Sequence, residues 1–596
     1  MNWRWLRHEW TLAILGGLLL AVVLTWPTMR DPRHTVPGDI GDPTMFAWQV
    51  AWGGHALLTD PLRIWESNTF YPSENSLAFT DTLLGYAPFG MFGSGMDAAV
   101  VRYNLLYVLL HALAFIGAYA LTRQLGAHPI GAAVAGVAWA YAPWRLAHAG
   151  HMNVISTGGI ALALAMIARG HGWSLRYGHR PVRHRPGWVL AGWLVGAWQI
   201  TLGLAIGLVF VYVVLAIGVV TAACYAWSWW RRRERPTFGA RLLIANLVGG
   251  VFFGAATLFM GLAYTRVVDV NPQAARSLDW TRMFSPPWRG LFTAPTESWL
   301  WGDRHAAARE QLTWPPEMAL FPGLALLVLA ATGLFFSVFR IRHRVLLGLG
   351  VVVTSLLALG STLGNDGQPG YLTLSQLLPG WDALRTPGRL MVWITLFLAI
   401  LAAGAVSAFV PARRSAEDPA TDATEESAAD STEGAAVPRP ARNVAGVPQL
   451  ALRAALLLPL ALVLVEGINR TPHPEVPPYP AAMRGAPEPI LVLPSGGVLE
   501  MPIMLWSTNG FPRIPNGIVT FEPTSQAQIR SITTAFPDPS SVAYLRQSGF
   551  RAVLVVRGWV AGTPWEAVPN RPVDGLGITR EEIDGNILYR LEPSGS

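Results

Sequence analysis

Residues 188–230 read WVLAGWLVGAWQITLGLAIGLVFVYVVLAIGVVTAACYAWSWW. Neither acid nor base interrupts this run, and it is about twice the ~20 residues that carry a helix across a ~30 Å hydrocarbon core. Gln199 and Gly203 fall near its middle and mark a turn, so the run is expected to form two crossings, over 187 to 201 and 203 to 229. The same reading applied outward finds nine further apolar segments, near residues 11 to 28, 98 to 121, 129 to 143, 152 to 168, 241 to 263, 319 to 338, 345 to 363, 387 to 410 and 450 to 468. A polytopic α-helical membrane protein with about eleven transmembrane helices is therefore expected. Composition agrees, with 52% of residues hydrophobic, 14% charged, and Trp at block edges such as Trp26, Trp139, Trp188, Trp288 and Trp299.

The net charge of +7 falls in short clusters between apolar blocks, which speaks for membrane topology and against a nucleic-acid partner. All the cationic side chains other than His are Arg, which excludes a Schiff-base lysine and a P-loop. One cysteine, Cys224, excludes an intrachain disulfide and a cysteine metal site. Arg4 and Arg7 precede the first apolar run and no small-residue cleavage pattern follows it, so a retained first helix is expected.

Arginine placement orients the chain. With the N-terminus cytoplasmic, the loops holding Arg123, Arg169 to Arg185, Arg231 to Arg235, Arg340 to Arg344, and Arg413 with Arg414 all stay inside. The His-rich loop with His171, His179 and His184 is then cytoplasmic and solvated. The expected organisation is a transmembrane core over 1-410 with exported loops 29-97, 264-318 and 364-387. A disordered cytoplasmic linker over 411-447, rich in Ala, Glu, Asp, Ser, Thr and Pro, precedes a last transmembrane helix over 448-468. An extracytoplasmic α/β domain over 469-596 completes the chain, with strands at Ile490 to Leu493, Ala552 to Val556 and Asn586 to Leu591 and helices at Gln526 to Ala535 and Ser541 to Ser548. That tail holds no nucleotide-binding glycine loop and no nucleophile elbow, so a packing or acceptor-binding platform is expected. In the first exported loop a helix over Thr44 to Leu58 is expected to lie along the membrane interface, through Phe46, Val50, Trp52 and Leu57.

Function is sought on the exported side. Asp39 and Asp42, in Pro37-Gly-Asp-Ile-Gly-Asp-Pro43, place two carboxylates just past the first helix. A carboxylate beside apolar walls can act as a general base toward a hydroxyl. The competing reading is that Asp42 caps a helix beginning at Pro43. Arg145, His148 and His151 share one exported loop and suit an anionic ligand. The two histidines could also bind a metal with Asp39 or Asp42, though interfacial hydrogen bonds are the commoner use. Arg385 and Arg389 stand at the outer mouth of the tenth segment, where guanidinium groups can hold a lipid phosphate or snorkel. Among the other exported acids, Asp81, Asp279, Glu297, Asp303 and Glu317, only Asp81 is singled out, because it closes the first loop.

The sequences Gly38-Asp-Ile-Gly-Asp-Pro43, Asn68-Thr-Phe-Tyr-Pro72, Arg145-Leu-Ala-His-Ala-Gly-His151, Leu320-Phe-Pro-Gly323 and Leu384-Arg-Thr-Pro-Gly-Arg389 resemble those of uncharacterised bacterial proteins of the GT-C superfamily of membrane glycosyltransferases. The likeness covers roughly residues 1 to 470. It implies an inverting glycosyltransferase of the cell inner membrane that takes a sugar from a polyprenyl-phosphate donor to an envelope glycan, lipid or protein acceptor. On that resemblance Asp42 or Asp39 is the base, and Arg385, Arg389, Arg145, His148, His151 and Asp81 contact the donor phosphate or substrate. Many members carry two adjacent acids here, whereas this chain has Asp-Ile-Gly-Asp. No cofactor is implied with certainty, and a divalent metal is not supported. The alternatives are a transporter or flippase of a lipid-linked saccharide, which would show internal repeats and broken, charged membrane helices, and an inactive scaffold of the same fold.

Overall fold

The computed structural model describes residues 8–233, 239–410 and 449–591. A helix stands at each of the eleven apolar segments, and six of them are long and apolar enough to cross a membrane: Gly95–Leu125, Met152–Gly170, Leu204–Arg231, Ala240–Val270, Ile341–Ala358 and Pro387–Ala408. The others, Glu9–Leu24, Pro129–Tyr141, Pro186–Ile200, Leu324–Phe335 and Gln449–Glu466, are not in that set. Pro129–Tyr141, at 13 residues, rises only about 20 Å, short of a ~30 Å core. Pro186–Ile200 and Leu204–Arg232 are separate helices, and the break falls at Gly203, φ +143°, as the central turn of the long run requires. The segment proposed as a linker lies outside the described residues.

Small residues let the helices approach closely. A Cβ on Gly117 would stand 2.5 Å from the Gly158 carbonyl, and one on Gly333 would stand 2.2 Å from the Leu401 carbonyl. The Met391–Ala408 helix is buried almost all round, packed between Pro129–Tyr141, Leu324–Phe335 and Ile341–Ala358. By contrast Leu204–Arg232 and Ala240–Val270 carry outward rows of exposed Leu, Val, Ile and Phe, the composition of a lipid-facing surface.

The C-terminal region holds one mixed sheet. Ile490–Leu493 pairs in parallel with Ala552–Val555, which pairs antiparallel with Asn586–Leu591, which takes Ile578–Ile583 antiparallel at the far edge. Helices Glu500–Trp506, Thr524–Thr533 and Pro539–Gln547 complete it. This region is fused to the first loop by a common core in which Phe46, Trp48 and Phe70 pack with Ile503, Met504 and Trp506. Backbone bonds seal the seam: Ile514 donates to the Asn68 carbonyl at 2.8 Å and Tyr71 donates to the Ile514 carbonyl at 3.0 Å.

The first-loop helix, Asp42–Thr59, differs from expectation. Every residue from Pro43 to Gly54 is buried, Phe46, Val50 and Trp52 included. It does not leave an apolar face open, because Ala87–Gly90, Gly95–Leu125 and the Glu500–Trp506 helix all pack against it.

Candidate functional site

The Asp42–Thr59 helix begins without help from Asp42. Gly41 is its N-cap and no side chain caps it. Asp39 Oδ1 instead accepts from Gly41 N at 2.6 Å, while the Thr44 hydroxyl donates to the Ile40 and Gly41 carbonyls at 2.8 and 2.9 Å. The capping role considered for Asp42 is therefore set aside, and its carboxylate turns to His151, with Oδ2 3.1 Å from Nε2. Gly38 allows the approach: it sits at φ +96°, and a Cβ there would stand 3.1 Å from the Gly150 amide, in the loop that presents both histidines.

His151 continues the chain of contacts. Its Nδ1 is 3.1 Å from Nδ1 of His148, whose Nε2 is 3.9 Å from Glu317 Oε2. Glu317 in turn accepts from Arg389 Nη2 at 2.5 Å and Nε at 3.3 Å. Burial depresses His148 to about 3, so it is neutral. For His151 burial also acts downward, but the hydrogen bond and charge of Asp42, with Glu317 behind, outweigh it and raise the imidazole. Glu317 is buried, which alone would raise it, yet Arg389 and the two histidines hold its carboxyl well below the usual range. The consistent proton assignment has His151 donating from Nε2 to Asp42 and from Nδ1 to His148.

These groups open onto a cavity of about 330 Å³. Asp42, Asp81, His151 and Glu317 line it together with Arg276, Arg385 and Arg389, and Ile206, Val209, Leu390 and Trp393 add apolar lining. Arg385 lies over the rings of Trp280 and Phe284, at 5.3 and 5.1 Å, and makes no ion pair among the described residues. Burial first, then the charges of Arg276 and Arg389, lower it to about 10, which leaves it cationic at neutral pH. Arg276 has no carboxylate partner either; its Nη1 donates to the Thr520 hydroxyl. Asp81 accepts from Leu204 N at 2.7 Å and Asn153 Nδ2 at 3.1 Å, tying the first loop to the start of a long helix.

Of the residues named from sequence, Asp42, Asp81, His151, Arg385 and Arg389 line this cavity. Asp39 stays in its turn outside the lining, and His148 lies behind His151. Arg145 is buried away from it and donates to the Ile155 carbonyl at 2.7 Å and to Thr157 Oγ1 at 3.1 Å, bracing the histidine loop. Arg276, Glu317 and Thr520 escaped sequence reasoning. Glu317 has no paired or metal-ligand spacing in the sequence to single it out, and the Leu320-Phe-Pro-Gly323 sequence beside it is the one signal there.

His148, His151 and Glu317 offer ligand atoms within 4.8 Å of one another, a nitrogen and oxygen set that suits a borderline divalent cation. Each of these side chains is already engaged, so a cation would have to draw Glu317 off Arg389.

Neither a family profile nor a curated protein sequence matches the chain. Among solved structures it is similar to the oligosaccharyltransferase of Archaeoglobus fulgidus in the apo form, at 14% identity over 93% of this chain and 69% of that one, with a TM-score of 0.43. It is also similar to an arabinofuranosyltransferase from Mycobacteria, at 16% identity over 100% of this chain and 42% of that one, with a TM-score of 0.45. At this level neither likeness assigns a reaction or a substrate to the chain.

Proposed function

We propose that the protein is an extracytoplasmic glycosyltransferase of the GT-C type, moving a sugar from a polyprenyl-phosphate donor to a hydroxyl of a cell-envelope acceptor with inversion. The observation that carries this reading is what one cavity brings together: the Asp42 carboxylate, the cations Arg385 and Arg276, which make no ion pair among the described residues, and the apolar side chains of Ile206, Val209, Leu390 and Trp393. A base, an anion seat and an apolar lining are the parts such a transfer needs.

In the reaction Asp42 takes the acceptor hydroxyl's proton while that oxygen bonds to the anomeric carbon. The bond from that carbon to the phosphate oxygen breaks, and its electron pair leaves with the polyprenyl phosphate. Arg385 and Arg276 stabilise the leaving charge. Arg389 is less free for this, because its fork is filled by Glu317; it fixes the Glu317-His148-His151 series that aims Asp42. The exported orientation requires a donor already flipped across the membrane.

Lipid-linked saccharides profiled in a strain lacking the protein test the class. Accumulation of the intact donor on the outer leaflet supports transfer. Donor trapped on the cytoplasmic leaflet would overturn it in favour of a flippase, and an unchanged profile would leave the inactive scaffold.

A further inference from the structure

Part of the cavity lining belongs to the C-terminal region: Met501 with Ile518, Val519 and Thr520. The last three are half-buried. Among the described residues, neither the amide nor the carbonyl of any of the three has a hydrogen-bond partner; the sole polar contact is the Thr520 hydroxyl with Arg276. Backbone groups left without a protein partner pair with solvent, so in a half-buried segment that lines a cavity a ligand's own hydroxyls can take the solvent's place.

The ends of this run are held firmly. Fully buried Glu500 accepts from Gly517 N at 3.1 Å through Oε2, and from the Ser495 hydroxyl and Gly496 N at 2.6 Å through Oε1. Arg530 Nη2 donates to Glu500 at 3.2 Å and to the Gly517 carbonyl at 3.3 Å, while its Nη1 holds Glu522 at 2.8 Å. Asn516 is fixed to both the amide and the carbonyl of Val492 at 2.9 Å. A segment anchored on both sides and bare between is preorganised to bind.

We infer that Ile518–Thr520 is the acceptor-binding rail of the cavity, and that the acceptor it takes is a glycan whose ring hydroxyls pair with these backbone groups. The inference rests on the transferase reading for the word acceptor, and on the unpaired backbone alone for the ligand chemistry. Alternating donors and acceptors suit a polyhydroxylated ring. A cavity of about 330 Å³ is of the small-ligand size class and leaves little length for an extended peptide strand.

The test uses the full chain in detergent and two octyl glycosides, octyl β-glucoside and octyl α-mannoside, as probes, with an extended Ala-Ser-Thr-Ala peptide as the contrasting ligand. Hydrogen exchange at the Ile518, Val519 and Thr520 amides should slow with at least one glycoside and not with the peptide. Val519→Pro deletes one rail amide and should weaken that glycoside about tenfold, whereas Val519→Ala keeps it and should bind within twofold of the parent. Matching thermal midpoints for the two variants show that folding is intact; if Val519→Pro does not fold, the exchange pattern of the parent decides. No slowing with either glycoside, slowing by the peptide instead, or equal binding by the two variants overturns the inference. Because exchange needs no turnover, a protein that binds glycoside on this rail yet transfers no sugar refutes the transferase reading alone, and one that transfers sugar with an unprotected rail refutes this inference alone.

Discussion

Glu317 grips Arg389 at two points, Oε1 to Nη2 at 2.5 Å and Oε2 to Nε at 3.3 Å, in a position where the Glu317 side chain is 6% exposed. Removing one partner of such a buried pair strands the other charge, at a cost of about 3–5 kcal/mol. Arg389→Ala should therefore lower the thermal midpoint sharply. Arg389→Lys, which keeps the charge but loses the fork, should fall between it and the parent. A midpoint unchanged in Arg389→Ala would show that the pair is not structural.

Arg385 lies on Trp280 and Phe284, Arg276 donates to the Thr520 hydroxyl, and neither makes an ion pair among the described residues. Replacing either with Ala should leave the midpoint nearly where it was and weaken binding of farnesyl phosphate by about tenfold, the loss of one charge-assisted contact. Farnesyl phosphate binding that is unaffected in Arg276→Ala and Arg385→Ala alike would place the anion seat elsewhere.

The raised His151 gives a pH dependence with a definite sign. A group whose folded pKa lies above its ordinary value of 6.5 contributes its full stabilisation below that value and loses it as pH rises through the folded pKa. Glu317, held below its ordinary 4.5, contributes above that value and loses its part only in stronger acid. His148, held down to about 3, acts the other way: unfolded it takes up a proton below its ordinary 6.5 that the folded imidazole refuses, so stability from this series should rise from about pH 5 to 6.5 and fall on the alkaline side as His151 loses its proton. Asp42→Asn removes the charge that raises His151, so melting curves taken across this range should lose much of the alkaline decline. An identical decline in that variant would rule out Asp42 as its cause.

Much of the helical frame was legible because apolar blocks are local: each expected segment carries a helix. The site was only half legible, since its contacts join residues far apart in the chain. Asp42 meets His151, and Arg389 meets Glu317, only after the bundle assembles. The burial of Asp42–Thr59 was hidden in part for the same reason, as Glu500–Trp506 covers it together with Ala87–Gly90 and Gly95–Leu125. Two elements were missed for local causes. Glu500–Trp506 carries Pro502 in its first turn and a buried acid, which masked a helix. The strand Ile578–Ile583 lies at the sheet edge and reads as polar, yet Asp584-Gly585, at φ +47° and +72°, is a hairpin signal that pointed to it.

Arginine placement carries an expected orientation that reporters can test. A reporter enzyme fused after Ser596 should be active only outside the cytoplasmic membrane, and one inserted at Glu426 only inside. Finding both reporters on one side would break the proposed topology, because an odd number of crossings must separate them.

The last expectation separates the two first-loop acids. Asp42 makes no cap, and Asn at that position can still accept from His151 Nε2, so Asp42→Asn should preserve the fold and the cavity. It cannot take a proton from an acceptor hydroxyl, so turnover of sugar transfer should fall roughly 10²-fold or more while farnesyl phosphate binding persists. Asp39 uses Oδ1 to hold Gly41 N, a bond that Asn also makes, and it does not line the cavity; Asp39→Asn should turn over within a few-fold of the parent. Normal turnover in Asp42→Asn beside an inactive Asp39→Asn would move the base to Asp39. Normal turnover in both would remove these two acids from the chemistry, and the carboxylate of Asp81, which makes no ion pair among the described residues and lines the same cavity, would be the next to replace.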